Sequence, residues 1–63
     1  SIASHLNNLA LILGELGDSL AERTMLERAL SIAEATCGVD HPDTVMVRMN
    51  LNPIISRRIH EKQ

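Results

Sequence analysis

The sequence predicts an all-α fold, a helical hairpin followed by a third helix, on the strength of three observations. Apolar residues recur at spacings of three and four along most of the chain, the period of a helix with one buried stripe. Apolar residues make up 44% of the chain, nearly all of them Leu, Ile, Ala, Met and Val, and none is aromatic. Such a composition suits aliphatic helix packing better than a β-sandwich. Finally, Gly17-Asp18 and Gly38 interrupt the periodic stretches where a chain reversal needs them.

Ile2, Leu6, Leu9, Ala10, Leu13 and Leu16 place one stripe on a first helix from about residue 2 to residue 15. Gly14 weakens its last turn, and Gly17-Asp18 lets the chain turn back. Ser19-Leu20-Ala21-Glu22 has the form of a capping box, in which hydroxyl and carboxylate each satisfy an orphaned backbone N–H. A second helix is therefore expected over about residues 19–36. Leu26, Ala29, Leu30 and Ala33 form its main stripe, with Met25 and Ile32 to the side, so it expects neighbours on two sides. The predicted contact sets Leu6, Leu9, Ala10 and Leu13 against Leu26, Ala29, Leu30 and Ala33.

Gly38 can close the second helix in the left-handed conformation, and Asp40-His41-Pro42-Asp43 reads as a new start. Pro is tolerated in a first turn, and Asp43 suits the positive helix end. The third helix runs from about Pro42 and is interrupted at Asn52-Pro53. Either it kinks there, or it ends near Leu51 and a short helix restarts with Asn52 as cap.

With 63 residues the chain holds one small domain at most, and a domain this small buries only about 60% of its unfolded surface. The lone Cys37 allows no intrachain disulfide, which leaves association or a longer parent chain as support. A helical pattern that starts at Ser1 fits the second, as a piece of something longer. The longest apolar run, Leu9 to Leu13, is too short to span a bilayer, and no charged-then-apolar leader precedes it. No membrane contact is expected. The unpaired thiol suits a cytoplasmic setting.

Residues 1–43 carry seven acids and two bases, whereas residues 44–63 carry four bases and one acid. The basic end, Arg48, Arg57, Arg58 and Lys62, lacks the dense stripe and stacking aromatics of a nucleic-acid surface. It reads as a solvated helix end, and no nucleic-acid partner is expected. Cys37 and His41 have metal-ligand spacing but no second pair, so no metal or other cofactor is expected. Cys37 reads instead as a helix-end residue and His41 as a cap. His5 and His60 have no nucleophile or base arranged around them, and no glycine-rich phosphate loop occurs. Glu15, Asp18, Glu22, Glu27 and Glu34, interspersed with Arg23 and Arg28, describe an ion-paired wet face. The chain is not expected to be an enzyme.

Shifting the chain by 42 residues against itself aligns Asn8 with Asn50, Leu9 with Leu51, Ile12 with Ile54 and Leu13 with Ile55, the signature of an internal repeat. The run Leu6-Asn7-Asn8-Leu9-Ala10, Leu13, Gly17-Asp18, then Leu26-Glu27-Arg28-Ala29-Leu30-Ser31-Ile32-Ala33 and Gly38-Val39-Asp40-His41-Pro42-Asp43-Thr44 resembles the 42-residue tetratricopeptide repeat of kinesin light chains. The resemblance covers roughly residues 1–52. It implies one helix-turn-helix repeat over residues 1–42 and, over residues 43–63, the first helix of a degraded second or capping repeat. Glu22 stands where the family usually has a small packing residue, and its capping role would lean it outward. Arg48 and Asn52 replace Leu6 and Ala10 at packing positions of the second copy.

At about 100° per residue, Ser4, Asn8, Leu11 and Glu15 fall opposite the stripe of the first helix, and Met46, Asn50, Pro53 and Arg57 fall on the matching face of the third. The resemblance implies that this face lines a concave groove, where Asn8, Asn50 and Asn7 hydrogen-bond an extended peptide. An amide carries donors and an acceptor and so can hold a main chain whatever its side chains. The other reading is that these asparagines bond to neighbouring helices and fix repeat geometry. Two functions follow. One is a protein-interaction module of a scaffold, adaptor or signalling protein, with Ser4, Asn7, Asn8, Leu11, Met46 and Asn50 as the peptide site. The other is self-association, as a homodimer or higher oligomer, through an open stripe of Val47, Leu51, Ile54, Ile55 and Ile59.

Overall fold

The computed structural model describes residues 2–61, with side chains through Ile54. Three helices follow one another: α1 (Ile2–Glu15), α2 (Ser19–Thr36) and α3 (Pro42–Glu61), with no strand among the described residues. The chain is all-α. α1 and α2 form the hairpin, and α3 lies mainly on α2.

The first reversal is closed by backbone geometry. Gly17 takes φ of 88°, the left-handed region that favours glycine. Its N–H donates to the Gly14 carbonyl at 3.1 Å, and the Asp18 N–H donates to the Leu13 carbonyl at 2.9 Å, the paired bonds of a Schellman ending. Asp18 also opens the next helix: its Oδ1 accepts from the Ala21 N–H at 3.1 Å. This corrects the expected Ser19–Glu22 capping box. The cap lies one residue earlier because Asp18 is already held by α1's end with its carboxylate beside the orphaned donors. Glu22 is therefore free of that task and does not lean outward. It is half-buried, and a Cβ placed on Gly14 would collide with its carboxylate, so Gly14 makes the room that Glu22 occupies.

Gly38, with φ of 97°, ends α2, its N–H donating to the Ala33 carbonyl at 3.1 Å. His41 then caps α3, with Nδ1 accepting from the Asp43 N–H at 3.1 Å. Of the two alternatives at Asn52-Pro53, an ending near Leu51 is not met: α3 continues through Pro53. Proline removes the bond to the Met49 carbonyl four residues back. Met49 and Pro53 both lie on the exposed side.

Ala10, Leu26, Ala29, Val47 and Leu51 form one buried cluster drawn from all three helices, with Leu6, Met25, Leu30 and Ile54 packed against it. Two expectations about it need correction. On α1 the buried line runs through Ala3, Asn7 and Ala10, whereas Leu9, Ile2 and Leu16 are exposed. Small residues sit where helices approach most closely, so the tightest contact falls on alanines rather than on the larger aliphatics beside them. On α3, Val47 and Leu51 are buried in the chain's own core. The stripe expected to stay open for a second copy is instead covered by α2, and Ile54 is half-covered. Ile55 and Ile59 lie outside the residues whose side chains are described.

Ala10 and Ala29 have no exposed surface. Enlarging one of them must push the helices apart or force strained rotamers. Ala29→Leu is expected to lower stability by about 1 to 3 kcal/mol in a urea melt followed by circular dichroism, with an unchanged midpoint counting against this packing.

Candidate interaction face

Helix periodicity divides α1 into three arcs. Ala3, Asn7 and Ala10 with half-buried Leu6 and Leu13 face the rest of the chain; Ile2, His5, Leu9, Ile12 and Leu16 form a second, exposed arc; Ser4, Asn8, Leu11 and Glu15 form the third. This last arc is the one that, by the family resemblance, is expected to line a groove. Asn8 and Leu11 are exposed on it and Ser4 is half-buried.

A side-chain bond joins α1 to α3: Asn50 Nδ2 donates to Asn7 Oδ1 at 3.0 Å. Asn7 is buried, so this bond satisfies an acceptor that would otherwise be costly to bury. It also sets the Ser4–Asn8–Leu11 arc of α1 beside the Met46–Asn50 arc of α3. Asn7 is thus a helix-to-helix contact inside the protein, away from the open surface on which the peptide site was expected to include it. Asn50 has a double position. One amide hydrogen is used on Asn7, while its carbonyl and second N–H remain on a half-buried side chain. Met46 is exposed next to it along the helix. The spacing of the two adjacent asparagines could not separate these roles, because the boundary between buried and open arcs passes between Asn7 and Asn8.

α3 is tied to α2 at its polar edge as well. Arg48, in the place where the first copy has Leu6, lies 3.6 Å from Glu34 and donates to the Val39 carbonyl at 3.2 Å. The substitution turns a packing position into a clasp that reaches back to the end of α2. Such exposed pairs contribute little individually. Arg23 and Glu27 pair along α2 at 3.7 Å on a wet face.

The fold does bring Cys37, His41 and Asp43 together, with potential ligand atoms within 4.8 Å of one another. The His41 Nδ1 lone pair is already engaged by the Asp43 N–H, so a cation there would compete with the cap of α3. It would also sit at the positive end of that helix. Cys37 is a half-buried free thiol whose Sγ lies 3.6 Å from Thr36 Oγ1. Among the described residues no helix is long and apolar enough to cross a membrane.

A hairpin joined by a Schellman turn, a third helix packed as the start of a second hairpin, and a 42-residue internal period define an α-helical repeat protein. The family model for the tetratricopeptide repeat matches residues 2–43, and the chain belongs to that family. No curated protein and no solved structure matches it. The repeat type is the one that the asparagine pair and the Asp-His-Pro-Asp linker resemble.

Removing the donor should expose the difference between the asparagines. Asn50→Ala leaves Asn7 Oδ1 buried and unpaired and is expected to cost about 1 to 3 kcal/mol. Asn8→Ala should stay within about 0.5 kcal/mol. Urea melts of the two variants check this, and equal losses would mean that the Asn7–Asn50 bond has no special standing.

Proposed function

We propose that this chain is a protein-interaction module that holds an extended segment of a partner protein across α1 and α3. Tetratricopeptide repeats generally mediate protein–protein interaction, and the family is a non-enzymatic one. The observation that carries the finer reading is the Asn7–Asn50 bond, which gives two first-type helices one shared surface. On it, Asn8 and the uncommitted groups of Asn50 offer donors and acceptors to a peptide main chain. Leu11 and Met46, both exposed, flank them with apolar area, and an unbranched Met adapts to varied side chains. Ser4 borders the same arc. Such a site reads main chain first and sequence second, and therefore suits a scaffold or adaptor within a longer array.

Selection of extended peptides from a random library on the 63-residue chain, followed by amide-shift mapping, tests the proposal. Bound peptide is expected to move the signals of Ser4, Asn8, Leu11, Met46 and Asn50. Asn8→Ala should weaken binding about fivefold, on the order of 1 kcal/mol for one lost hydrogen bond. Shifts confined to the Arg23–Glu27 face of α2, or peptides indifferent to Asn8, would rule the site out.

A further inference from the structure

The loop between α2 and α3 brings three metal-binding side chains together. The Cys37 thiol, a His41 ring nitrogen and an Asp43 carboxylate oxygen all lie within 4.8 Å of one another, although sequence spacing alone offers only the first two. The fold supplies the third ligand. In a four-coordinate zinc site, with Zn–S of about 2.3 Å and Zn–N or Zn–O of about 2.0 to 2.2 Å, the ligand atoms stand about 3.3 to 3.6 Å apart. Side-chain torsions can close that gap, since His41 is exposed and Cys37 and Asp43 are half-buried. A small chain that can form no intrachain disulfide also has use for such a staple.

The backbone that carries these ligands is already held. Cys37 caps the C-terminus of α2, its N–H donating to the Ala33 carbonyl at 2.8 Å. The His41 N–H donates to the Gly38 carbonyl at 3.3 Å, and Arg48 grips the Val39 carbonyl between them at 3.2 Å. Binding an ion through either ring nitrogen of His41 frees the Asp43 N–H from Nδ1, because Nδ1 then holds the metal or the proton. That cap is replaceable. The Val45 N–H still closes the first turn of α3 on the His41 carbonyl at 3.0 Å, and the freed donor sits at an exposed helix end, where water can take it. Charge balances as well: Cys37 bound as thiolate and the Asp43 carboxylate together carry the two negative charges that match a divalent ion. The positive end of α3 is opposed there by the negative end of α2, which has no basic residue in its last turn.

We propose that Cys37, His41 and Asp43 form a zinc site, with water as the fourth ligand, that fastens the end of α2 to the first turn of α3. The mixed sulfur, nitrogen and oxygen set suits Zn2+, whereas Mg2+ or Ca2+, which seek oxygen, would leave the sulfur unused. On binding, the Cys37 thiol releases its proton to solvent, the imidazole binds neutral, and Asp43 gives one carboxylate oxygen. The ion adds a further tie between the two helices, beside the seating of Val47 and Leu51 in the shared core and the Arg48 clasp. Its ligands are separate from the Asn8–Asn50 face.

The test titrates the chelator-treated, reduced 63-residue chain with Zn2+, and with Co2+ as a spectroscopic stand-in. One Zn2+ per chain is expected to raise Tm by at least about 5 °C at saturation, while Mg2+ at the same concentration leaves it unchanged. Co2+ should show sulfur-to-metal charge-transfer absorption and the visible bands of a four-coordinate ion, both lost when Zn2+ is added. His41→Gln and Asp43→Asn should each weaken Zn2+ binding at least about tenfold, and Cys37→Ser should remove the charge-transfer absorption, with helix content checked by circular dichroism. The cobalt spectrum of the unaltered chain keeps the test valid where a variant folds poorly. No charge-transfer absorption, no rise in Tm, an equal response to Mg2+, or binding indifferent to His41→Gln and Asp43→Asn would overturn the proposal. So would one ion shared between two chains in sedimentation, since the ligand set would then be completed by a second copy.

Discussion

Burial of Leu26 at the meeting point of three helices is the contact on which the rest of this small fold depends. Among the described residues it is the largest fully buried side chain, and it shares one cluster with Ala10 of α1, Ala29 of its own helix, and Val47 and Leu51 of α3. In a domain too small for a second core, no other cluster can replace it. A fully buried Leu contributes about 1.5 to 3 kcal/mol, a large share of what 63 residues can hold in reserve. The alanines around it matter for the opposite reason. Their small size lets the backbones approach until the larger neighbours interlock.

The interaction face follows from that core. Once Val47 and Leu51 seat α3 on α2, Asn50 comes within 3.0 Å of Asn7, which sets the Asn8–Leu11 arc of α1 beside Met46 and Asn50 of α3. One polar bond then separates what is structural from what is available. Arg48, reaching to Glu34 and Val39, holds the other edge of α3. Beside that bond Asn8, Leu11 and Met46 are exposed.

The all-α class and the repeat type were legible in the sequence because both are written in spacing: three- and four-residue apolar periods, and motifs in fixed order over 42 residues. What spacing does not record is which arc of a helix finds a neighbour. Leu9 looked like core because it is large and apolar, yet it is exposed, and the buried line of α1 passes through Ala3, Asn7 and Ala10. Val47 and Leu51 looked open because a following helix was expected to cover them, yet α2 already does. The cap of α2 was misplaced by one residue, since Asp18 and Ser19 are both competent caps and only the Schellman bond of Asp18 to Leu13 decides between them. For the site, the pair Asn7-Asn8 was visible, but the division of labour within it was not. A rotation of one residue moves an amide from groove to interior.

Native-state hydrogen exchange of the 63-residue chain with and without Leu26→Ala tests the shared core most directly. Amides in α1, in α2 and in α3 up to Ile54 are predicted to open together, and the substitution should lower their opening free energy by a common amount of about 2 to 5 kcal/mol. Protection that falls in α1 and α2 while α3 keeps its own would contradict the account, because the third helix would then not depend on the hairpin beneath it.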